Sequence, residues 1–225
     1  MFAGAPSSML SGMSVTRPPE RASLMDLARA EREDFAEFLA TLTPREWEAP
    51  TLCEGWSVQD VVAHVISYDE LTGRELVRRL GRGGIRRANA AGVAEYAPRG
   101  PEALLALVRA HTTPRGLTAA FGGRIALLDG MIHHQDIRRP LGRPREIPPD
   151  RLRAALRFAL VAPPVGAFWR ARGLRLVPTD LDWTTGRGPE VRGPAEALLL
   201  AVAGRRGVVD ELSGPGKEKL AGRIR

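Results

Sequence analysis

The chain has 225 residues, 44% of them hydrophobic and 26% charged, with 33 basic against 26 acidic side chains and a formal net charge of +7. A chain of this length and composition buries roughly 70% of its unfolded surface, which excludes disorder as its main state. No run of about 18 uncharged apolar residues occurs, which excludes a membrane-spanning helix, and the opening MFAGAPSSMLSGMSVTRPPE lacks the basic and apolar regions of a secretory signal, so a cytoplasmic location is expected.

Residues 1–19, rich in Gly, Ser and Pro, read as a disordered tail, with Met13 as an alternative start. Beyond them helical spacing dominates. Leu24, Leu27, Ala28, Glu31, Phe35, Phe38, Leu39 and Leu42 recur at steps of three and four, an apolar stripe with one charged interruption that predicts a helix over 21–42. The next start is marked by EGWSVQDVVAHV: Ser57 is placed to cap the Asp60 amide, the Asp60 carboxylate to reach back, and Trp56 to pack on Val61. A helix over 58–80 follows, then a loop of low helical commitment over 81–100. Pro101 opens a helix over 101–113, and another over 119–139 is stopped by Pro140 and Gly142, with Arg138 and Arg139 at its negative end. Four such helices predict an antiparallel bundle over 20–147.

After Pro148 and Pro149 the pattern predicts a helix over 150–161, and then it changes. GLRLVPTDLDW and EVRG alternate apolar and polar residues, as two or three short strands do. Helices over 194–204 and 215–223 complete a small α/β lobe over 148–225, so the expected fold class is mainly α with a short C-terminal α/β domain.

Cys53 is the only cysteine, so neither an internal disulfide nor a multi-cysteine metal site is available, and any metal must be held by histidines and carboxylates. Cys53 stands near a positive helix end, but no histidine is close to it in sequence; it reads as a buried structural thiol rather than a nucleophile. The histidines are His64, His111, His133 and His134. Asp129 and His133 lie at i, i+4 beside Ile125, Leu128 and Ile132, where an unpaired polar group costs several kcal/mol, so they must be paired or coordinated. His64 sits two turns into its own helix among Val61, Val65 and Ile66. Bundles build metal sites from such inward residues on facing helices; His64, Asp129 and His133 give three ligands and leave a fourth position open, as a catalytic zinc needs. Spacing alone favours a buried Asp129–His133 pair within one helix and a satisfied core His64. His111, on the Leu104, Leu107 and Val108 stripe, reads as partly exposed, and His134, about 100° around the helix from His133, as solvent-facing or a support to the ligands.

PTLCEGWSVQDVVAHV followed by MIHHQDIRRPLGRPREIP resembles the paired signature of the mycothiol-dependent maleylpyruvate isomerase family, whose N-terminal part is a DinB-like four-helix bundle. The resemblance covers about residues 22–148, and LDWTTGRGPEVRGPAEALLLAVAGR resembles the closing portion of the family's C-terminal domain. It implies a divalent metal, usually zinc (Zn2+), held by two histidines and a glutamate. The histidines fall on His64 and His133 and the glutamate on Asp129, so this chain carries the shorter carboxylate; Asp136 and Gln135, one turn on, are placed to orient the ligand histidines. It also implies mycothiol as a thiol cofactor, made available as thiolate by the metal. In the isomerase reaction the thiolate adds to an activated double bond, the resulting single bond rotates, and the thiol leaves; the same chemistry admits thiol transfer to another electrophile. Arg205, in the AGR segment, is the candidate for binding an acidic substrate or the thiol cofactor, with Arg82, Arg86 and Arg87 as further candidates.

Lys217 and Lys219 are the only lysines, and abundant Ala, Gly, Pro and Arg together mark GC-rich coding, consistent with the actinobacteria that the resemblance implies. RELVRRLGRGGIRR lacks interleaved aromatics and reads as a solvated helix end rather than a nucleic-acid surface. The expected partners are a small-molecule substrate and a low-molecular-weight thiol, without nucleic acid or membrane, on a monomer or homodimer. The expected function is that of a metal-dependent, mycothiol-using isomerase or thiol transferase acting on a small electrophilic metabolite, acidic ones included. The alternative is a non-catalytic DinB-like protein that holds a metal or ligand in a stress response.

Overall fold

The structure, a computed structural model, describes residues 22–81 and 83–224; the tail expected over 1–19 lies outside them. Helix α1 (Leu24–Leu39) opens on a Ser23–Asp26 capping box and buries Phe35, Phe38 and Leu39. The short α2 (Pro44–Trp47) plants Trp47 in the same core. Helix α3 (Val58–Ile66) begins where the capping box requires: the Ser57 hydroxyl accepts from the Asp60 amide (3.2 Å), the Asp60 carboxylate accepts from the Ser57 amide (2.9 Å), and Trp56 packs on the cluster containing Val61.

The helix expected over 58–80 is in fact two. Ser67 ends α3 by donating its hydroxyl to the His64 carbonyl (2.9 Å). Helix α4 (Gly73–Gly81) restarts behind Thr72, whose hydroxyl accepts from the Glu75 amide (3.3 Å) while the Glu75 carboxylate accepts from the Thr72 amide (2.9 Å). This second box is a start signal in the sequence, masked there by the helical period continuing through it. The expected loop over 81–100 is largely a helix, α5 (Gly84–Tyr96), ending in a 3-10 turn over Ala97–Arg99. Tertiary contact holds α5, which buries Ala88, Gly92 and Tyr96; a Cβ on Gly92 would stand 2.4 Å from the Ser67 hydroxyl, so only glycine permits this approach to α3.

Helices α6 (Pro101–Ala110) and α7 (Arg124–Arg138) join α1 and α3 in a DinB-like four-helix bundle. Helix α7 starts later than the expected 119 because Phe121 (φ 55°), Gly122 (69°) and Gly123 (86°) turn through the left-handed region, which a helix cannot continue. Beyond it come α8 (Pro149–Ala159), α9 (Ala167–Ala171), strands β1 (Arg175–Pro178), β2 (Thr185–Gly186) and β3 (Glu190–Gly193), then α10 (Ala195–Val202) and α11 (Lys217–Ala221). The sheet runs β2-β1-β3, with β1 antiparallel to β2 and parallel to β3, Leu176 opposite Val191.

Two apolar clusters fill this framework. One lies inside the bundle around Phe35, Val61, Val62, Ile66, Leu104 and Val108. The other runs from Ala28, Leu127 and Met131 through Leu156 into Leu176, Val191 and Leu198. Helix α7 serves both clusters and is buried almost all round, which fixes the rotation and height of every side chain it carries. Among the described residues no helix is long and apolar enough to cross a membrane.

Candidate metal centre

The capped start of α3 sets His64 two turns in, 4% exposed, with its ring 5.2 Å from Trp56, 5.9 Å from Tyr68 and 4.8 Å from His133. Asp129 and His133 face it from α7, one turn apart. Asp129 Oδ1 stands 3.7 Å from His64 Nε2 and 3.6 Å from His133 Nε2. These separations are too long for hydrogen bonds, yet close to the roughly 3.4 Å between ligand atoms around a tetrahedral cation with bonds of about 2.1 Å. Two imidazole nitrogens and one carboxylate oxygen are also the donor set that zinc and its neighbours accept. His64, Asp129 and His133, the predicted set, are therefore brought together with ligand-like spacing, and Asp129, whose side chain is 35% exposed, marks the open side.

Electrostatics within the triad are strong. Burial favours the neutral acid at Asp129, but His133 and then His64 outweigh it and hold the carboxyl far below its ordinary range. At His133 burial opposes the charged ring, and Asp129, with help from Asp136, more than reverses it, so its pKa is well raised. His64 moves down, chiefly through burial. A cation between the three would take the place of the proton on His133.

The other side of His133 is equally organised. Its Nδ1–H donates to Asp136 Oδ2 (2.9 Å), leaving the Nε2 lone pair for the gap. Asp136 is fully buried; burial alone would raise its pKa, but Arg205 and His133 hold it ionised. Gln135, predicted to share this orienting task, instead accepts from Arg145 Nε (3.2 Å). His64 Nδ1 is buried with no hydrogen-bond partner among the described residues, so the two histidines are supported unequally.

Cys53 is half-buried rather than buried, and it has polar neighbours that the sequence did not show. No histidine is near it along the chain, yet its Sγ lies 3.6 Å from His133 Nδ1 and donates to Asp136 Oδ2 (3.1 Å), because the turn before α3 packs against α7. Cys53, His133 and Asp136 form a second group of ligand-type atoms. The guanidinium of Arg205, 3.5 Å from that sulfur and 2.5 Å from Asp136 Oδ2, already occupies its charge, which makes the group a poor cation site. Arg205 reaches inward from the C-terminal lobe, and each of its three nitrogens donates, to Asp136 and to the Ala203 carbonyl (3.2 Å). Arg86 and Arg87 are exposed on α5, and Arg82 lies outside the described residues.

His134 and His111 also depart from expectation. His134 is neither solvent-facing nor a support to the triad: it is fully buried between Phe35 and Phe38, donates from Nδ1 to Glu31 (3.1 Å) and accepts at Nε2 from Arg138 (2.8 Å). Burial pushes its pKa down to about 4. Glu31, the charged interruption of the first stripe, is thus the centre of a buried cluster with His134, Arg145 and Arg151. His111 is 9% exposed rather than partly exposed, and its Nδ1 bonds the Leu107 carbonyl (2.9 Å), away from the triad. A cleft of about 440 Å³ lined by Asp34, Phe38, Arg138, Arg143 and neighbours lies beside the Glu31 cluster and includes no member of the triad.

Residues 28–116 match the model of the mycothiol maleylpyruvate isomerase N-terminal domain. That match spans 89 of the 225 residues. The matched segment contains His64, whereas Asp129 and His133 lie beyond it. Among solved structures, a histidine-to-alanine mutant of the mycothiol-dependent maleylpyruvate isomerase superposes with a TM-score of 0.57 at 18% identity, covering 86% of this chain and 92% of that one. A second structure of mycothiol-dependent maleylpyruvate isomerase gives 0.52 at 17% identity over the same shares. The likeness is thus one of fold, extending past the N-terminal domain into the lobe. No curated protein sequence matches the chain.

Proposed function

We propose that the chain is a metal-dependent enzyme of the maleylpyruvate isomerase type, which uses the thiol of mycothiol to isomerise, or to transfer that thiol to, a small electrophilic metabolite. The observation that carries this reading is the gap between His64, Asp129 and His133, with ligand-type atoms 3.6 and 3.7 Å apart, in a chain whose residues 28–116 match that family's N-terminal domain. His64 and His133 would hold a divalent cation through Nε2 and Asp129 through Oδ1. Such a cation, when bound, lowers the pKa of a thiol at its open position and makes thiolate available at neutral pH. The chain's own residues do the rest. Asp136 fixes which nitrogen His133 presents, and Trp56 and Tyr68 pack about His64 and limit water on that side. Asp129, shorter than glutamate by one methylene and partly exposed, sits where thiol and electrophile must enter.

The test is metal content of protein purified without an affinity tag, followed by titration of the cobalt-substituted form with mycothiol. About one equivalent of zinc or a similar ion, lost in His64→Ala, and a saturable change in the cobalt spectrum are expected. Failure to hold metal before or after reconstitution removes the catalytic reading. Metal binding without any response to mycothiol removes the thiol and leaves the binding protein of the alternative reading.

A further inference from the structure

We propose that Arg205 is a positioning residue for this centre: from the C-terminal lobe it fixes the Asp136 carboxylate, and through it the imidazole of His133. The inference rests on the cation reading above for its consequence, although the geometry stands without it.

The backbone delivering Arg205 is itself constrained. Helix α10 ends in a turn in which the Gly204 and Arg205 amides donate to the Ala201 and Leu200 carbonyls, both at 2.9 Å. Gly204 has φ 98°, and a Cβ there would stand 2.9 Å from the Arg170 guanidinium, which donates to the Val165 (2.7 Å) and Val202 (2.9 Å) carbonyls and braces the turn. Arg205 then crosses to α7 and grips Asp136 with both arms of its fork, Nε to Oδ1 at 2.8 Å and Nη2 to Oδ2 at 2.5 Å. A two-point grip fixes the plane of a carboxylate as a single contact cannot. With that plane set, Oδ2 faces His133 Nδ1 at 2.9 Å and the opposite nitrogen points at Asp129 and His64. Cys53 Sγ at 3.1 Å completes the acceptor's surroundings. An arginine that reads in sequence as a free hook for an acidic ligand is thus already committed to another side chain, and the lobe becomes part of the metal centre rather than a neighbour of it.

The experiment uses the full chain as wild type, Arg205→Met, Arg205→Lys, Asp136→Asn, the Arg205→Met/Asp136→Asn double variant and, as control, the exposed Arg206→Met. Zinc affinity is read by chelator competition and ligand geometry by the visible bands of the cobalt form. The downfield Nδ1 proton resonance of His133 is read by NMR on metal-free protein. Arg205→Met and Asp136→Asn should each weaken zinc by about 10- to 100-fold, and the double variant by no more than the larger single effect, because both break one relay. Arg205→Lys, which keeps the charge without the fork, should recover part of the affinity and gives a milder variant to measure beside Arg205→Met. Arg206→Met should match wild type. Wild-type affinity and an unchanged cobalt spectrum in Arg205→Met, or fully additive losses in the double variant, would overturn the proposal. If wild type takes up no metal, the cation reading falls, and the positioning role is decided by the Nδ1 proton: kept in wild type and lost in Arg205→Met upholds it, equal in both refutes it.

Discussion

Replacing Glu31 by glutamine tests the buried charge cluster on α1 with little change of shape. Glu31 is fully buried, accepts from His134 Nδ1 at 3.1 Å and from Arg151 at 3.3 Å, and pairs closely with Arg145. Arg151 keeps a second partner in Asp34 at 2.5 Å, but for Arg145, whose side chain is 8% exposed, the next carboxylate is Asp34 at 3.7 Å. Glu31→Gln therefore leaves one buried guanidinium without its counter-charge and turns an amide NH2 toward it. Breaking a buried pair from one side costs about 3–5 kcal/mol, a large part of the roughly 5–15 kcal/mol that holds a domain folded. Urea denaturation should show an unfolding free energy lowered by that amount, read as a lower midpoint at unchanged slope. Glu33→Gln, which removes an exposed partner of Arg29 two residues along, should give no resolvable change. A loss below about 1 kcal/mol in Glu31→Gln would mean that the cluster is wet or rearranges freely, and the argument from burial would fail.

Other outcomes follow from the same geometry. His134 is held at a pKa of about 4, below its ordinary value, so the unfolded chain takes up this proton first; stability present above about pH 6.5 should be lost as pH falls toward 4, by up to roughly 3 kcal/mol. The raised pKa of His133 gives the opposite slope, so the comparison is wild type against His134→Asn, whose acid loss should be smaller. On the proposed ligand set zinc would have to displace the proton that His133 holds, so its affinity should climb with pH; a pH-independent constant between 6 and 8 would contradict that ligand set. Ser57→Ala, removing the α3 cap, should cost about 1 kcal/mol by denaturation, and a neutral result would sink the capping argument. Gly92→Ala should destabilise by about 1–3 kcal/mol through collision with Ser67, while an unchanged midpoint would show that α5 moves freely on α3.

The sequence by itself determined what lies within a turn or two of each residue. The Ser57–Asp60 box places His64 on α3, and the i, i+4 step puts Asp129 and His133 on one face of α7, because helix geometry alone sets those positions. The resemblance in the sequence implied that the two faces meet. What it did not determine are partnerships between distant residues: Cys53 and Arg205 converge on Asp136 from 83 and 69 positions away, and Glu31 meets His134 across 103. Periodicity marks which side of a helix is buried, not which polar group awaits it there. That was decided only when α7, wrapped on nearly every side by α1, α3, α8 and the C-terminal lobe, forced each of its polar side chains to find a partner in whichever element packed against it. Helix α5, unreadable in a sequence of small residues, exists for the same reason: its contact with α3 supplies the stability that its own pattern lacks.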